Sequence, residues 1–252
     1  MTDGPPATRG TSGRLRVTEV TPLTPAMLRL TVAVEEPHLP PDPSCPNQVL
    51  RLSPPAPSGA GTDPLTGARP ASRTYTIRRA DPATGLLDLD VVLHGDGLFV
   101  RWARSAAPGD ALDFTGPRPH AVPSFAAGAV VMATDETGLP ALAAIAEAAP
   151  ADLPIHAVVE VADAAEEQPL RSAADLQISW RHRDGAAAGT TGALEHAVRA
   201  LPWPAGAVDV WVAGEAGEVR SIRRFAAAER GVPRERLHAF GYWRRGRAGS
   251  PS

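Results

Sequence analysis

Residues 123–149 read PSFAAGAVVMATDETGLPALAAIAEAA, and the sequence pattern changes within this segment. The continuous apolar run at 129–133 predicts a buried strand, and the Ala- and Leu-rich run at 139–148 predicts a helix. Strands that alternate with helices are typical of a mostly parallel sheet covered on both faces. We therefore place a domain boundary at residues 124–128.

Toward the C-terminus the same alternation continues. The pattern predicts further strands at 155–161, 177–182, 208–213 and 237–242, and further helices at 194–200 and 218–230. These elements predict a C-terminal α/β domain with a parallel sheet over residues 128–247, followed by a tail at 248–252.

Toward the N-terminus the chain consists of short strands separated by turns. Apolar and polar residues alternate in these strands, and a Pro-, Gly- and Ser-rich loop interrupts them at 54–70. Six short strands at this spacing predict a small closed antiparallel β-barrel over residues 13–123, preceded by a disordered segment at 1–12. The predicted elements are strands at 14–20, 27–34, 49–52, 74–78, 86–93 and 111–114 and a helix at 99–105.

Composition and charge exclude several classes of protein. The 252 residues carry a formal net charge of −3, so no overall positive field favours nucleic acid or an anionic membrane. A single cysteine, Cys45, excludes an internal disulfide, a four-cysteine zinc site and an iron–sulfur cluster. The seven histidines show no paired ligand spacing, and no apolar stretch is long enough to cross a bilayer. We expect a cytoplasmic monomer without a bound metal.

The strand Arg73-Thr74-Tyr75-Thr76-Ile77-Arg78 carries the strongest local signal for a binding site. Alternate residues of a strand share a face, so Arg73, Tyr75 and Ile77 are expected to point to one side. An arginine beside a tyrosine suits a ligand with a phosphate and an aromatic ring. An ordinary exposed barrel strand would have the same pattern, and the residues alone leave both interpretations open.

This strand and a series of further motifs resemble the siderophore-interacting proteins, which are FAD-containing ferric-siderophore reductases. The strand matches the family's R-x-Y-T-x-R, and the other motifs follow in register over nearly the whole chain. The resemblance implies a ferredoxin–NADP reductase-like fold with a flavin-binding barrel and a nicotinamide-binding α/β domain. The further motifs are Val92–Gly95, Arg101–Ala103, Pro108–Asp110, Asp135–Thr137 with Leu139–Ala141, Val161–Asp163, Gly214–Ala216 and Gly241–Gly246.

The resemblance also implies roles for individual residues. For FAD, Arg73 would bind a phosphate, and strand residues and a helix start would line the ring and the pyrophosphate. For NAD(P)H, the segments that follow two parallel strands would form the site. No side chain receives a catalytic role. The cofactor-binding residues are Arg73, Thr74, Tyr75, Thr76, Val91, Leu93, His94, Gly97, Val100 and Trp102 for FAD, and Thr134, Asp135, Glu136, Thr137, Gly214, Glu215 and Ala216 for NAD(P)H.

The substrate implied by the resemblance is a ferric siderophore, whose ligands are often anionic. Arg51 lies where the family has a basic residue on a barrel strand, and Arg244, Arg245 and Arg247 add charge near the C-terminus. We expect these four arginines to bind the siderophore. The alternative for the C-terminal three is a solvated tail.

The predicted function is therefore electron transfer from NAD(P)H through FAD to an Fe(III)-siderophore, with release of Fe(II). Two departures from the family pattern bear on the flavin: Leu98–Val100 place bulk near the expected pyrophosphate, and Pro119 replaces a glycine. They keep open a flavin-free siderophore-binding protein, beside a general NAD(P)H:flavin or ferric reductase. The sequence distinguishes neither NADH from NADPH nor one siderophore from another.

Overall fold

A computed structural model describes residues 12–35, 45–55 and 72–247 of the chain. The predicted tail at 248–252, nearly all of the predicted disordered segment at 1–12 and most of the predicted loop at 54–70 lie outside the described residues. The described residues form one antiparallel sheet and one parallel sheet, so the predicted combination of two sheet types in one chain is confirmed.

The N-terminal sheet contains seven strands in the order β4-β3-β7-β1-β2-β6-β5. Its interior is filled by apolar side chains that alternate along the strands, such as Leu15 and Val17 or Leu87 and Leu89, all of which are buried. The elements are β1 (Ser12–Thr24), β2 (Met27–Val34), β3 (Gln48–Ser53), β4 (Arg73–Thr76), β5 (Arg79–Asp81), β6 (Leu86–Val92), the helix α1 (Leu98–Ser105) and β7 (Ala111–Pro119).

The predicted number of six barrel strands is wrong, because the predicted strand at 74–78 ends at Thr76 and an additional short strand, β5, follows at Arg79–Asp81. The chain pairs with β3 as far as Thr76 and with β6 from Arg79 onward. Between the two strands, Ile77 N donates to Gln48 O at 2.8 Å and Arg78 N donates to Asp88 O at 2.9 Å. This change of partner brings the two ends of the sheet together, so β4 and β5 close the barrel.

The C-terminal sheet has five parallel strands in the order β10-β9-β8-β11-β12. The chain runs outward from β8 in one direction and then returns to add β11 and β12 on the other side. The ends of β8 and β11 therefore flank a topological switch point, where such sheets bind ligands. The elements are β8 (Ala129–Asp135), α2 (Leu139–Ala148), β9 (Pro154–Val161), β10 (Asp175–His182), α3 (Ala193–Ala200), β11 (Val208–Glu215), α4 (Ala216–Ala228) and β12 (Leu237–Trp243).

The parallel sheet is covered on both faces, as its apolar strands require. Val130 and Met132 of β8 pack with α2, whereas Val131 and Ala133 pack with α3 and α4. Met27 of the barrel belongs to the cluster on the α2 side. The barrel therefore packs on the same face of the sheet as α2.

Polar contacts also join the two sheets. The carboxylate of Glu166 is buried and accepts hydrogen bonds from Thr24 Oγ1 at 2.5 Å and from Ala26 N at 2.8 Å, in the turn between β1 and β2. Near the connection between the sheets, Trp211 Nε1 donates to Ala121 O at 3.3 Å. Ala26 also accepts a hydrogen bond at its carbonyl from Leu93 N, at 2.8 Å, directly after β6. The contact of Ala26 with Glu166 therefore holds the end of β6 close to the C-terminal edge of the parallel sheet.

Candidate functional site

The strand β4 presents the predicted flavin-binding residues in different environments. Thr76 is buried, Arg73 and Tyr75 are half-buried, and Thr74 is exposed. Within the part of the chain that the structure describes, the side chain of Arg73 makes one hydrogen bond, from Nη1 to Ser72 O at 3.1 Å. The bond is local, so the other guanidinium N–H groups can bind an anion.

An aromatic cluster joins β4 to the helix α1. The ring of Tyr75 packs on Phe99 with centroids 4.4 Å apart, and Phe99 packs on Trp102 at 5.5 Å. Burial raises the pKa of Tyr75 above its ordinary value, so its hydroxyl stays protonated. Of the three residues expected to place bulk near a pyrophosphate, Phe99 and Val100 are buried, with Phe99 in the barrel core, and Leu98 is half-buried. Their effect on the flavin stays a prediction.

The start of α1 leaves its backbone N–H groups without a side-chain partner. Gly97 occupies the N-cap position, and no side chain caps the helix. A Cβ atom at Gly95 or Gly97 would meet nothing within 4 Å, so the space beside these glycines is open. Free N–H groups at a helix start attract anions. Together with Arg73 and the aromatic cluster, this open helix start fits FAD, whose pyrophosphate is anionic and whose ring is flat.

The end of β6 carries the remaining predicted flavin residues. Val91 is buried in the barrel core, Leu93 is half-buried, and His94 is exposed. Partial desolvation lowers the pKa of His94, and the neighbouring carboxylate of Glu136 acts in the opposite direction. Glu136 belongs to the predicted nicotinamide site, so the structure brings one residue of each predicted site near the other.

Asp135 is the centre of the predicted nicotinamide site. It is buried, and its carboxylate accepts hydrogen bonds from Thr137 N at 2.9 Å, Thr137 Oγ1 at 2.5 Å, Glu215 N at 3.1 Å and Trp243 Nε1 at 2.7 Å. Burial raises the pKa of Asp135 to about 6, although these donors act to lower it. Asp135 therefore ties together the ends of β8, β11 and β12.

Two glycines allow this close approach. A Cβ atom at Gly214, whose φ is +141°, would lie 2.7 Å from Asp135 Oδ2, and a Cβ at Gly138 would lie 2.0 Å from Thr134 Oγ1. Thr134 is fully buried, and its hydroxyl donates to Asp135 O at 3.1 Å. Thr134 is therefore part of the framework of this edge.

A second group of carboxylates lies at the same edge. Arg183 forms ion pairs with Glu136 and, at 3.5 Å, with Glu160, and Glu160 also accepts a hydrogen bond from Thr191 Oγ1 at 2.8 Å. The neighbouring carboxylates and burial raise the pKa of Glu218 to about 7, burial being the larger cause. The edge therefore carries more carboxylates than cations.

The start of α4 contrasts with that of α1, because it has a side-chain cap. The carboxylate of Glu215 accepts hydrogen bonds from Gly217 N and from Glu218 N, the latter at 3.1 Å. It also accepts from Arg245 N at 3.3 Å. Ala216 begins the helix and packs closely on Gly241, where an added Cβ would lie 3.0 Å from the Cβ of Ala216.

The four arginines predicted to bind the substrate lie in two places. Arg51 is exposed on β3, pairs with Thr74 across the sheet and donates to Ser72 Oγ. Arg244 is half-buried, and Arg245 and Arg247 are exposed in a turn that Arg247 N closes onto Arg244 O at 3.1 Å. No hydrogen bond or ion pair between described residues joins Arg51 to these three, so their convergence on one cleft stays a prediction.

Sequence reasoning gave no role to several residues of this edge. Trp243 and Tyr242 belong to a motif that was recognised, yet the contact of Trp243 with Asp135 spans 108 residues and has no local signal. Tyr242 Oη is buried and has no hydrogen-bond partner among the described residues. Burial raises the pKa of Tyr242, and the nearby Thr76 acts to lower it. Glu160 could have been found, because it is the one acidic residue in a mostly apolar strand.

Comparison with known proteins gives the family of this chain. Residues 16–121 match the siderophore-interacting FAD-binding domain, and residues 127–246 match the siderophore-interacting protein model. A siderophore utilization protein from T. fusca is 36% identical, with a TM-score of 0.82 over 96% of both chains. The ferric vibriobactin reductase of Vibrio cholerae is 31% identical over 71% of this chain and 66% of its own length.

More distant structures share the fold alone. A ferredoxin reductase in carbazole 1,9a-dioxygenase has a TM-score of 0.68 at 19% identity, over 92% of this chain and 70% of that one. The predicted ferredoxin reductase-like architecture is thus confirmed. Among the described helices, none is both long and apolar enough to span a membrane.

Proposed function

The chain belongs to the siderophore-interacting protein family, and we propose that it transfers electrons from NAD(P)H through FAD to ferric siderophores. Two ferric ions take up the two electrons of one NAD(P)H, which leaves as NAD(P)⁺ with release of one proton. Ferrous iron binds hard oxygen ligands more weakly than ferric iron, so reduction releases the metal from the siderophore. The proposal includes the division into domains at 13–123 and 128–247 and a cytoplasmic monomer.

The observation that best supports FAD binding is the uncapped start of α1 beside the signature strand. The aromatic contact between Tyr75 and Phe99 holds this helix start close to Arg73. We propose that Arg73 and the N–H groups after Gly97 bind the pyrophosphate, and that Tyr75, Thr76 and the chain from Val91 to His94 line the ring. When bound, FAD accepts a hydride and passes electrons singly to ferric iron.

The edge of the parallel sheet supports NAD(P)H as the electron donor. It lies at the topological switch point and also close to His94, which the proposal places beside the flavin ring. The segments at 134–137 and 214–216 would contact the nicotinamide portion of the donor. The bonds of Asp135 to Thr137, Glu215 and Trp243 would hold both segments in place.

An anaerobic assay tests this function. Wild-type protein reconstituted with FAD should be yellow, its flavin absorbance should fall on addition of NADH or NADPH, and it should recover on addition of a ferric siderophore. Fe(II) should appear in a chelator assay at two equivalents per nicotinamide. A protein that binds no flavin, or whose reduced flavin transfers no electrons to catecholate or hydroxamate complexes of Fe(III), would contradict the proposal.

The assignment of Arg73 needs its own control. Arg73→Ala should weaken FAD binding by roughly 10- to 100-fold, because a hydrogen bond to a charged group contributes about 1.5–3 kcal/mol. Arg14 is an exposed barrel arginine that pairs with Asp113 at 3.3 Å, so Arg14→Ala should leave FAD affinity unchanged. Equal loss of affinity in both variants would mean that Arg73 acts only through the overall charge.

A further inference from the structure

The last arginine of the signature strand contacts the other domain. Arg78 donates from Nη1 to Glu147 Oε2 at 2.8 Å and from Nη2 to Glu147 Oε1 at 2.5 Å. The side chain of Arg78 is 9% exposed and that of Glu147 is 26% exposed. Hydrogen bonding to Arg78 is the largest influence on the pKa of Glu147 and lowers it, so the carboxylate is charged. A bidentate pair of this kind fixes direction as well as distance.

On the barrel side, Arg78 is rigidly connected to the predicted flavin site. It lies two residues after Thr76, between β4, which pairs with β3, and β5, which pairs with β6. The backbone on both sides is held, since Ile77 N donates to Gln48 O at 2.8 Å and Arg78 N donates to Asp88 O at 2.9 Å. A displacement of Arg78 would therefore displace Tyr75 and Thr76 as well.

On the other side, Glu147 is rigidly connected to the predicted nicotinamide site. It lies in the last turn of α2, and the first turn of α2 directly follows the segment from Asp135 to Thr137. The apolar face of this helix is buried along its length against β8. A ten-residue helix of about 15 Å therefore connects Glu147 to the segment that would bind the donor.

We propose that Arg78 and Glu147 are positioning residues that set the distance and angle between the flavin and the nicotinamide donor. The inference rests on the proposed function. Hydride transfer needs reacting atoms held within about 0.5 Å of the productive geometry, so two domains joined by one chain connection need directional contacts across their interface. The Arg78–Glu147 pair adds a bidentate contact to those made by Glu166. A partly buried ion pair such as this one adds little net stability compared with apolar residues, but it is directional. Arg78 is thus assigned to domain placement and not to the flavin phosphate.

The pair can be removed without leaving a buried charge unpaired. Arg78→Met together with Glu147→Met replaces both partners with apolar side chains of similar length, so the fold should be kept. At saturating donor, we expect flavin reduction in this double variant to slow by about 10- to 100-fold, as for a misplacement of about 1 Å. FAD content and the donor Kd should stay within about twofold of wild type. The exchanged pair, Arg78→Glu with Glu147→Arg, should recover only a small part of the rate, because Arg79 lies 3.8 Å from Glu147 and would then face a second cation.

A matched control lies within the α/β domain. Arg199 of α3 forms an ion pair with Glu229 at the end of α4, with 2.8 Å between Nη1 and Oε1. Arg199→Met with Glu229→Met removes an ion pair inside one domain and leaves the contacts of Arg78 and Glu147 in place, so its flavin should be reduced at the wild-type rate. A wild-type rate in the Arg78/Glu147 double variant, or loss of its FAD, would overturn the proposal.

Hydrogen–deuterium exchange separates this inference from the proposed function. In the Arg78/Glu147 double variant, amides at the end of α2 and at residues 77–80 should exchange faster than in wild type, whether or not any donor reduces the flavin. Unchanged exchange at both segments would overturn the positioning role. A wild-type flavoprotein that neither NADH nor NADPH reduces would instead overturn the function, and the exchange result would still decide whether the pair holds the domains together.

Discussion

The starts of α1 and α4 lie at the two predicted cofactor sites. They differ in whether a carboxylate of the protein already accepts hydrogen bonds from the first N–H groups of the helix. At α1 the N-cap is Gly97, no side chain bonds the first N–H groups, and the adjoining space is open. At α4 the carboxylate of Glu215 already accepts bonds from Gly217 N and Glu218 N. The start of α1 is therefore available to an anionic ligand, whereas the start of α4 is already bonded to the carboxylate of Glu215.

The difference shows how two sites of one electron-transfer protein can bind with different strength. A resident cofactor benefits from backbone donors that no protein group satisfies, because binding then supplies bonds that the free protein lacks. A donor that must leave after each turnover has less need of them. The carboxylates of Asp135, Glu136, Glu160 and Glu215 would further weaken the binding of phosphates at the edge of the parallel sheet.

A carboxylate introduced at the start of α1 should have the largest effect, on FAD affinity. Gly97→Asp would cap the helix and place a carboxylate where the FAD pyrophosphate is proposed to bind. We expect FAD affinity to fall on the order of 100-fold through lost charge-assisted bonds and repulsion. The FAD-free protein should become more stable by about 0.5–1 kcal/mol. Both quantities can be measured by flavin titration and by urea unfolding.

The matched control for this change is Gly97→Ala. A Cβ at this position would meet no atom within 4 Å, and alanine neither caps the helix nor carries charge. Its FAD affinity should stay within a few-fold of wild type. An equal loss of affinity in the Ala and Asp variants would show that the space at Gly97, and not the free N–H groups, matters for the flavin.

The reverse change, removal of the anion from α4, should act on stability. Glu215→Ala deletes the acceptor for Gly217 N and Glu218 N, and an N-cap of this kind contributes about 1–2 kcal/mol to the free energy of unfolding. Glu215→Gln keeps an acceptor oxygen and should lose less than half as much. FAD affinity should be unchanged in both variants. A drop in FAD affinity would mean that the two helix starts are not independent.

The acidic edge should also make stability depend on pH. The pKa of Glu218 is raised from 4.5 to about 7, so the folded state binds a proton that the unfolded state has lost between these values. Stability should therefore decrease as pH rises from about 4.5 to 7, and Glu218→Gln should reduce that decrease. Because Glu218 is only partly buried, solvent screening limits the effect to about 1 kcal/mol.

Urea unfolding at pH 5 and pH 8 tests this dependence. Glu235→Gln, at an exposed position outside the cluster, should leave the difference between the two pH values unchanged. If Glu218→Gln shows the same pH dependence as wild type, Glu218 does not contribute to it, and the decrease in stability with pH arises at other groups such as Asp135, whose pKa burial raises to about 6.

Some of these contacts follow from sequence reasoning, and others do not. The meeting of Asp135 with Gly214 and Glu215 could be predicted, because both segments follow parallel strands that end at the same edge. The inward direction of Phe99 could not, since a short helix beside a barrel can bury either side. The additional strand β5 also has no local signal, because it arises where the chain stops pairing with β3 and begins to pair with β6. The contacts of Arg78 with Glu147 and of Arg183 with Glu136 have no local signal either, because they join residues far apart in the sequence.

The smallest expected effect concerns the C-terminal arginines. An anionic siderophore gains nothing from a chain with a net charge of −3 and must find a local positive patch. Arg245 N already bonds Glu215, so carboxylates close to the turn offset part of the charge of Arg244, Arg245 and Arg247. Replacing these three with Gln should therefore lower kcat/KM for an anionic siderophore by only about two- to fivefold at low salt, with the effect vanishing at high ionic strength.

The exposed arginines of α4 provide a control with the same change in charge. Arg220, Arg223 and Arg224 are exposed, so their replacement by Gln lowers the net charge equally at another place on the domain. The salt dependence of kcat/KM should flatten in the C-terminal variant and persist in the α4 variant, while reduction of the flavin by NAD(P)H stays unchanged in both. Equal flattening would mean that the substrate responds to net charge, and no flattening in either variant would leave the C-terminal arginines as a solvated surface. If a local positive patch binds the substrate, the salt dependence of the two variants must differ, because exposed charges act only within a screening length of about 8–10 Å.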